Sequence, residues 1–218
     1  MATLPSRDPI PAALDNRLYN INAAGDTEGE VTVEELLALA AAKPGLYRNI
    51  WAGAGVMIPQ FVGGGTPGTY ATPTFAVMHD FIDFAPGVDT YAQFSMMMPD
   101  EWDLGELKFK FYWKAGLTPG AGDVVWNVSP QAITPGTVVD FPYPAGATIV
   151  DTYLLNSRFL HTTTALGSSV NNTPNIEDSI YFRVGRVGTA GADTYTEDAR
   201  LLGIAIQYKE GITIPVVW

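Results

Sequence analysis

The chain has 218 residues, a formal net charge of −11, 47% hydrophobic residues, 16% charged residues and no cysteine. Its hydrophobic fraction suffices for a buried core and excludes disorder by composition. The acidic balance argues against nucleic-acid binding, which draws affinity from Lys and Arg, and the missing cysteines exclude disulfides and thiolate-metal sites.

A charged fraction of 16% is low beside the roughly 25% of an average soluble domain. Part of the surface is therefore expected to be covered by a partner, in the first instance a second copy of the chain. The 22 Gly and 16 Pro gather between apolar runs, as in short strands joined by turns. The N-terminus has no apolar core of signal-peptide length. No apolar run reaches the length of a bilayer-spanning helix, so no membrane is expected among the partners.

Met1 to about Ala24 is rich in Pro and small residues, shows neither helical nor strand period, and reads as an extended arm. Asp26 to Glu30 is polar and turn-like. Thr32-Val33-Glu34-Glu35 then forms a capping box, with Thr32 at the N-cap and Glu35 at N3. Leu36, Leu37, Leu39 and Ala40–Ala42 continue a helix, Lys43 suits its C-terminal dipole, and Pro44-Gly45 stops it. The expected organisation is residues 1–49 as an anchoring or clasping arm with one short helix, and 50–218 as a β-domain.

From Ile50 onward the chain reads as strand after strand. In Glu106–Lys114, Leu107, Phe109, Phe111 and Trp113 alternate with Lys108, Lys110, Tyr112 and Lys114, predicting one buried and one wet face. Ser179–Val187 sets Ile180, Phe182 and Val184 against Tyr181, Arg183 and Gly185. Arg200–Tyr208 sets Leu202, Ile204 and Ile206 against Leu201, Gly203 and Ala205, predicting a strand covered on both faces. Weaker strands are predicted over Asn49–Ile58, Phe75–Phe84, Thr90–Met97, Asp123–Ile133, Thr148–Leu155 and Arg158–Thr164. Turn signals separate them, among them Gly63–Gly68, Ala85-Pro86-Gly87, Thr118-Pro119-Gly120 and Asn171–Pro174. The predicted fold is mainly β, an antiparallel jelly-roll-like sandwich with an extended N-terminal arm and one short helix. A barrel is the competing closure.

The sequence offers little bond chemistry. Its two histidines, His79 and His161, lie far apart. On a strand His79, Phe81 and Asp83 share a face, which reads as carboxylates in turns beside a histidine rather than as a metal site. There is no Asp-x-Asp-x-Asp-Gly calcium loop and no Gly-x-Ser-x-Gly elbow. The Gly63–Gly68 loop lacks the Lys-Ser/Thr ending of a phosphate cradle. No catalytic residue, metal ligand or cofactor is expected. Aromatic side chains are the candidates for contacts: Trp51, Tyr70 and Trp102, expected at strand ends or loops, and the terminal Trp218, expected to be docked.

The segments Thr90–Pro99, Trp102–Gly105, Leu107–Trp113, Gly122–Trp126, Ile180–Val184 and Asp198–Tyr208 follow one another in an order that resembles β-rich exterior virion proteins of tailed bacteriophages. Glu30–Leu36 also resembles phage fibre N-terminal regions. The resemblance implies a non-enzymatic capsid decoration (cement) or fibre protein on the virion, commonly a homotrimer. Its implied partners are itself and the major capsid protein or other virion proteins. The alternative reading is a carbohydrate-binding module or a receptor-binding fibre tip that recognises host surface glycan, with a small hydrolase on the same scaffold ranked third.

Overall fold

The computed structural model describes residues 17–21, 27–32, 46–116, 120–154 and 160–211, in two compact units, Met1–Gly45 and Leu46–Trp218. In the first unit, β1 (Arg17–Ile21) and β2 (Thr27–Thr32) pair antiparallel, with Leu18 opposite Val31 and Tyr19 opposite Glu30. Part of the segment read as an extended arm is therefore a paired strand, and Thr27–Glu30 form a strand rather than the expected turn. The polarity of that stretch indicates a turn, but a partner strand satisfies its backbone groups and decides the conformation. The expected helix beyond Thr32, the arm before Arg17, and Trp218 lie outside the described residues.

The second unit contains β3 (Tyr47–Gly53), a single 3-10 turn (Ala54–Val56), β4 (Ile58–Pro59), β5 (Thr66–Ala71), β6 (Met78–Phe84) and β7 (Asp89–Met97). These are followed by β8 (Leu107–Ala115), β9 (Asp123–Ile133), β10 (Ala147–Thr152), β11 (His161–Thr162), β12 (Leu166–Ser168), β13 (Ser179–Val187) and β14 (Ala199–Lys209). One sheet has the order β10-β9-β13-β7-β4. The other has seven strands in the order β11-β8-β14-β6-β5, with β12 also on β8 and β3 also on β14. The two antiparallel sheets form the jelly-roll-like sandwich that the sequence predicts. Tyr47–Asn49, which the sequence assigns to the arm, belong to β3 and pair with Lys209, Tyr208 and Gln207.

The core is built from the alternation read in the strands. Leu107, Phe109, Phe111 and Trp113 of β8 are fully buried, as are Ile180, Phe182 and Val184 of β13 and Ile204 and Ile206 of β14. Across the interior Phe111 stacks on Trp126 at 5.3 Å, and within the five-stranded sheet Phe94 stacks on its paired neighbour Phe182 at 4.8 Å. Strand β14 departs from simple alternation. Leu201 pairs with Trp113 but Gly203 pairs with Tyr112, so Leu202 is an extra residue at a bulge. Leu201 is therefore buried with Ile204 and Ile206, and Leu202 goes to the opposite face. That corrects the expected grouping of Leu202 with the two isoleucines.

The two outer faces differ. Over the five-stranded sheet, Asn127, Ser129 and Gln131 of β9 are buried although polar. The β9–β10 connection folds down on the first two, and Gln131 accepts from Asn171 Nδ2 at 2.6 Å. Asn127 donates to the carbonyls of Ala145 and Ala147, Ser129 donates to that of Pro144, and the Arg183 guanidinium donates to Pro144 at 3.0 Å. Arg183 is held between the rings of Tyr91 and Tyr143, 4.5 and 5.2 Å from their centroids. Burial pushes the Tyr143 hydroxyl up to about 12, so it stays a donor, and it bonds Gln93. Over Ser129 and Arg183 this face is occupied by the protein's own chain, while toward Met97, Ser179 and Tyr181 it opens into a recess of about 510 Å³ that no carboxylate but Glu177 lines.

Candidate functional site

The outer face of the seven-stranded sheet is where exposed aromatic and amide groups meet. Three strands run side by side there, with β14 between β3 and β8. Register sets Asn49, Gln207 and Lys108 in one row, Trp51, Ala205 and Lys110 in the next, and Gly53, Gly203 and Tyr112 in a third. The bulge at Leu202 brings Gly203 and Ala205 onto this face, and both are small. That lack of bulk in the middle strand provides a floor.

Trp51 uses the floor. Its indole lies over Gly203 and meets Tyr112 edge-on at 5.2 Å and 80°. The side chain remains 55% exposed. One row away Gln207 donates its Nε2–H to Asn49 Oδ1 at 3.1 Å. This pairing fixes two amides beside the indole and leaves the Asn49 NH2 and the Gln207 side-chain oxygen available to a ligand. A groove of about 240 Å³ runs between Asn49, Gln207, Ala205, Lys108, Lys110 and Tyr112.

The same face continues past the bulge to a second recess of about 540 Å³, walled by Tyr70, Phe75, Val77, His79, Lys114, Arg200 and Leu202 among others. Arg200 forms two 2.8 Å bonds to the Asp83 carboxylate and lies 3.5 Å from the Phe81 ring centroid. Lys114 sits over Tyr70 at 4.5 Å. Burial, aided by the neighbouring Arg200 charge, lowers the Lys114 pKa. His79 shares its face with Phe81 and Asp83 as the strand period requires, but Asp83 is committed to Arg200. Among the described residues, no three His, Asp or Glu side chains come together as a metal would need. Neither recess is lined by a carboxylate.

Of the four aromatic residues singled out from sequence, Trp51 and Tyr70 lie on this face. Trp51 sits inside β3, rather than at the strand end or loop expected of it, and Tyr70 is the last residue but one of β5. Trp102 is 4% exposed and belongs to the core, which removes it as a contact residue. Its backbone bridges to Glu210, so the turn after β7 folds back on the end of β14 and buries the indole. Tyr47, Asn49 and Gln207 escape a reading of the sequence. Their role depends on strand register, which the local sequence does not carry.

No family model matches the chain, and no curated protein matches it. Among solved structures it is similar to an isomalto-dextranase from Arthrobacter globiformis, with 13% identity over 75% of this chain, and a TM-score of 0.41. It spans 24% of that enzyme's length. A family 35 carbohydrate binding module from Clostridium thermocellum shares 10% identity over 73% of this chain and 97% of its own, with a TM-score of 0.39. A xylan-binding domain from Paenibacillus barcinonensis shares 8% identity over 78% of this chain and 99% of its own, with a TM-score of 0.45.

Proposed function

We propose that the protein is a non-catalytic carbohydrate-binding module and that the open face of its seven-stranded sheet holds the glycan. The observation that carries this reading is Trp51. An exposed indole is laid over a glycine, braced by Tyr112 and flanked by a fixed pair of amides. An aromatic plane matches the apolar C–H face of a sugar ring. The amides supply a donor and an acceptor for its hydroxyls. Cleavage of a glycosidic bond uses a pair of carboxylates about the scissile oxygen, and no carboxylate lines either recess.

The test is binding of soluble polysaccharides and arrayed glycans to the full chain, compared with Trp51→Ala. Loss of one stacked aromatic is expected to weaken binding by about tenfold or more. Trp51 is half-exposed, so the variant should remain folded. A chain that binds no glycan, or that binds equally well without the indole, would overturn the proposal.

A second reading is compatible with the first: an oligomeric exterior virion protein, as the sequence resemblance implies. It is favoured by Phe61, Val62 and Phe75, three large apolar side chains that are strongly exposed on the isolated chain. Light scattering at micromolar concentration tests it, and a monomer would count against it.

A further inference from the structure

We infer that the glycan bound on the open face is a linear acidic polysaccharide whose anionic groups are met by Lys108, Lys110 and Lys114. The inference rests on the glycan-binding reading and narrows it to a substrate class.

The argument begins with where the cations are. Three of the chain's five lysines lie at alternate positions of β8, so all three project from the same outer face. Lysines on an outer face are ordinarily explained as solvated charge, or as guards against edge-to-edge association. The second explanation does not apply, because β8 is paired on both sides, by β14 and by β11 and β12. The first accounts poorly for their setting. Lys108 lies over the Tyr47 ring at 5.5 Å and Lys114 over Tyr70 at 4.5 Å, and both are partly buried.

The second observation is that none of the three forms an ion pair; the Asp83 carboxylate, whose charge acts on Lys114, is held by Arg200. Among the described residues, Arg48 pairs with Glu210, Arg186 with Asp193, Arg200 with Asp83 and Lys209 with Asp103. Arg183 donates to Pro144 and Ser129. The three lysines of β8 form no ion pair there either. In a chain of net charge −11 carboxylates are plentiful, yet none lines the groove beside Trp51. At physiological salt, charges more than about 8 Å away are largely screened, so this strip is locally positive although the chain is acidic.

Spacing selects a polymer over a single acidic sugar. Alternate residues of a strand stand about 7 Å apart, and Lys108 to Lys114 spans about 20 Å. Trp51 and Tyr112 lie between the ends of that track, where sugar rings would stack while acidic groups reach the lysines. One terminal acidic sugar would occupy one step of it.

The experiment is affinity measurement with the full chain, at low and high salt, against polygalacturonate, dextran sulfate, a neutral xylan and duplex DNA. Lys108→Gln, Lys110→Gln and Trp51→Ala are compared with the parent, with melting temperature as the folding control. Polygalacturonate is expected to bind more tightly than xylan, with the preference shrinking at high salt. Each Lys→Gln change should reduce the ratio of acidic to neutral affinity by about fivefold. Dextran sulfate bound as well as polygalacturonate assigns the lysines to anionic groups in general, while polygalacturonate alone assigns them to carboxylates; either supports the inference. Xylan bound as tightly as polygalacturonate through Trp51, with the ratio unmoved by Lys→Gln, overturns the inference and leaves the glycan-binding reading standing. Binding of no polysaccharide, or binding indifferent to Trp51→Ala, overturns both. Duplex DNA bound as tightly as polygalacturonate overturns the inference, since the face would then be a general polyanion surface.

Discussion

The indole of Trp51 lies over Gly203, a residue more than a hundred and fifty positions later in the chain. A Cβ at Gly203 would come 2.7 Å from Trp51 Cη2 and 2.6 Å from the Ala52 carbonyl oxygen. The ring and the glycine thus form one device: the missing side chain is the seat of the aromatic plane. Gly203→Ala is expected to lift the indole from Tyr112 and to destabilise the sandwich by about 1–3 kcal/mol through overpacking. Glycan binding should fall with it, as in Trp51→Ala. Calorimetric unfolding and polysaccharide binding check this, and an unchanged melting temperature with full binding would show that the ring is seated elsewhere.

Strand β8 separates core from site along a single run of residues. Phe111 has no exposed surface and stacks on Trp126, so Phe111→Ala should cost about 3–5 kcal/mol by cavity formation. Its neighbour Lys110 is exposed on the opposite face, and Lys110→Ala should change stability by less than about 0.5 kcal/mol. Urea denaturation of the two variants distinguishes them. A large loss for Lys110→Ala would mean that its face is buried against another subunit and is closed to a glycan.

The sandwich was legible where local pattern decides structure. Leu107–Ala115 and Ser179–Val187 form strands because their apolar alternation fits no helical period, whereas Asp123–Ile133, a weaker signal, is held by pairing with β10 and β13. Strand β5 escapes such reading. Its Thr-Pro-Gly sequence looks like a turn, and it forms at the sheet edge, where proline is tolerated and pairing with Met78–Phe84 supplies the ladder. Leu166–Ser168 is too short to show a period and exists through its pairing with Leu107–Phe109. The candidate site was half legible. Trp51 and Tyr70 stand out by residue type, but the floor of Gly203 and Ala205 depends on the bulge at Leu202. Trp102 is buried for a reason equally remote, the return of its turn onto Glu210.

Arg186 is the costliest side chain in the interior. It has no exposed surface, and neither does it leave a donor idle. Its guanidinium meets both Asp193 oxygens, at 2.7 to 3.2 Å, and donates to the carbonyls of Phe84, Glu197 and Tyr195. Asp193 is equally buried and also accepts the Val125 N–H at 3.0 Å. The pair ties the loop before β14 to three other strands. Asp193→Asn keeps the shape but strands a buried cation, and is expected to cost about 3–5 kcal/mol. Chemical denaturation measures it, and a loss under about 1 kcal/mol, as for an exposed pair, would show that the site admits water.

His161 gives the fold a pH dependence that can be worked out in sign. It is buried, stacked on Trp113 at 4.4 Å and on Tyr153 at 5.3 Å. Burial lowers its pKa, and the Asp151 carboxylate and the Thr152 backbone oppose this only in part. Asp151 is itself engaged by the Trp113 indole N–H at 2.6 Å. In the unfolded chain the imidazole takes up a proton near its ordinary value of about 6.5. The folded protein resists that proton to lower pH, so the unfolded state binds more protons across this interval and stability falls as the pH is lowered. His161 should cost nothing above about pH 6.5 and should progressively destabilise the sandwich below it. His161→Phe keeps an aromatic ring in the stack and removes the titration, so its stability should decline less between about pH 6.5 and 5, before the carboxylates titrate. Urea midpoints measured across that range for both proteins settle the matter. Parallel curves would mean that the imidazole is already protonated at little cost in the fold, and that the stack between Trp113 and Tyr153 holds a cation.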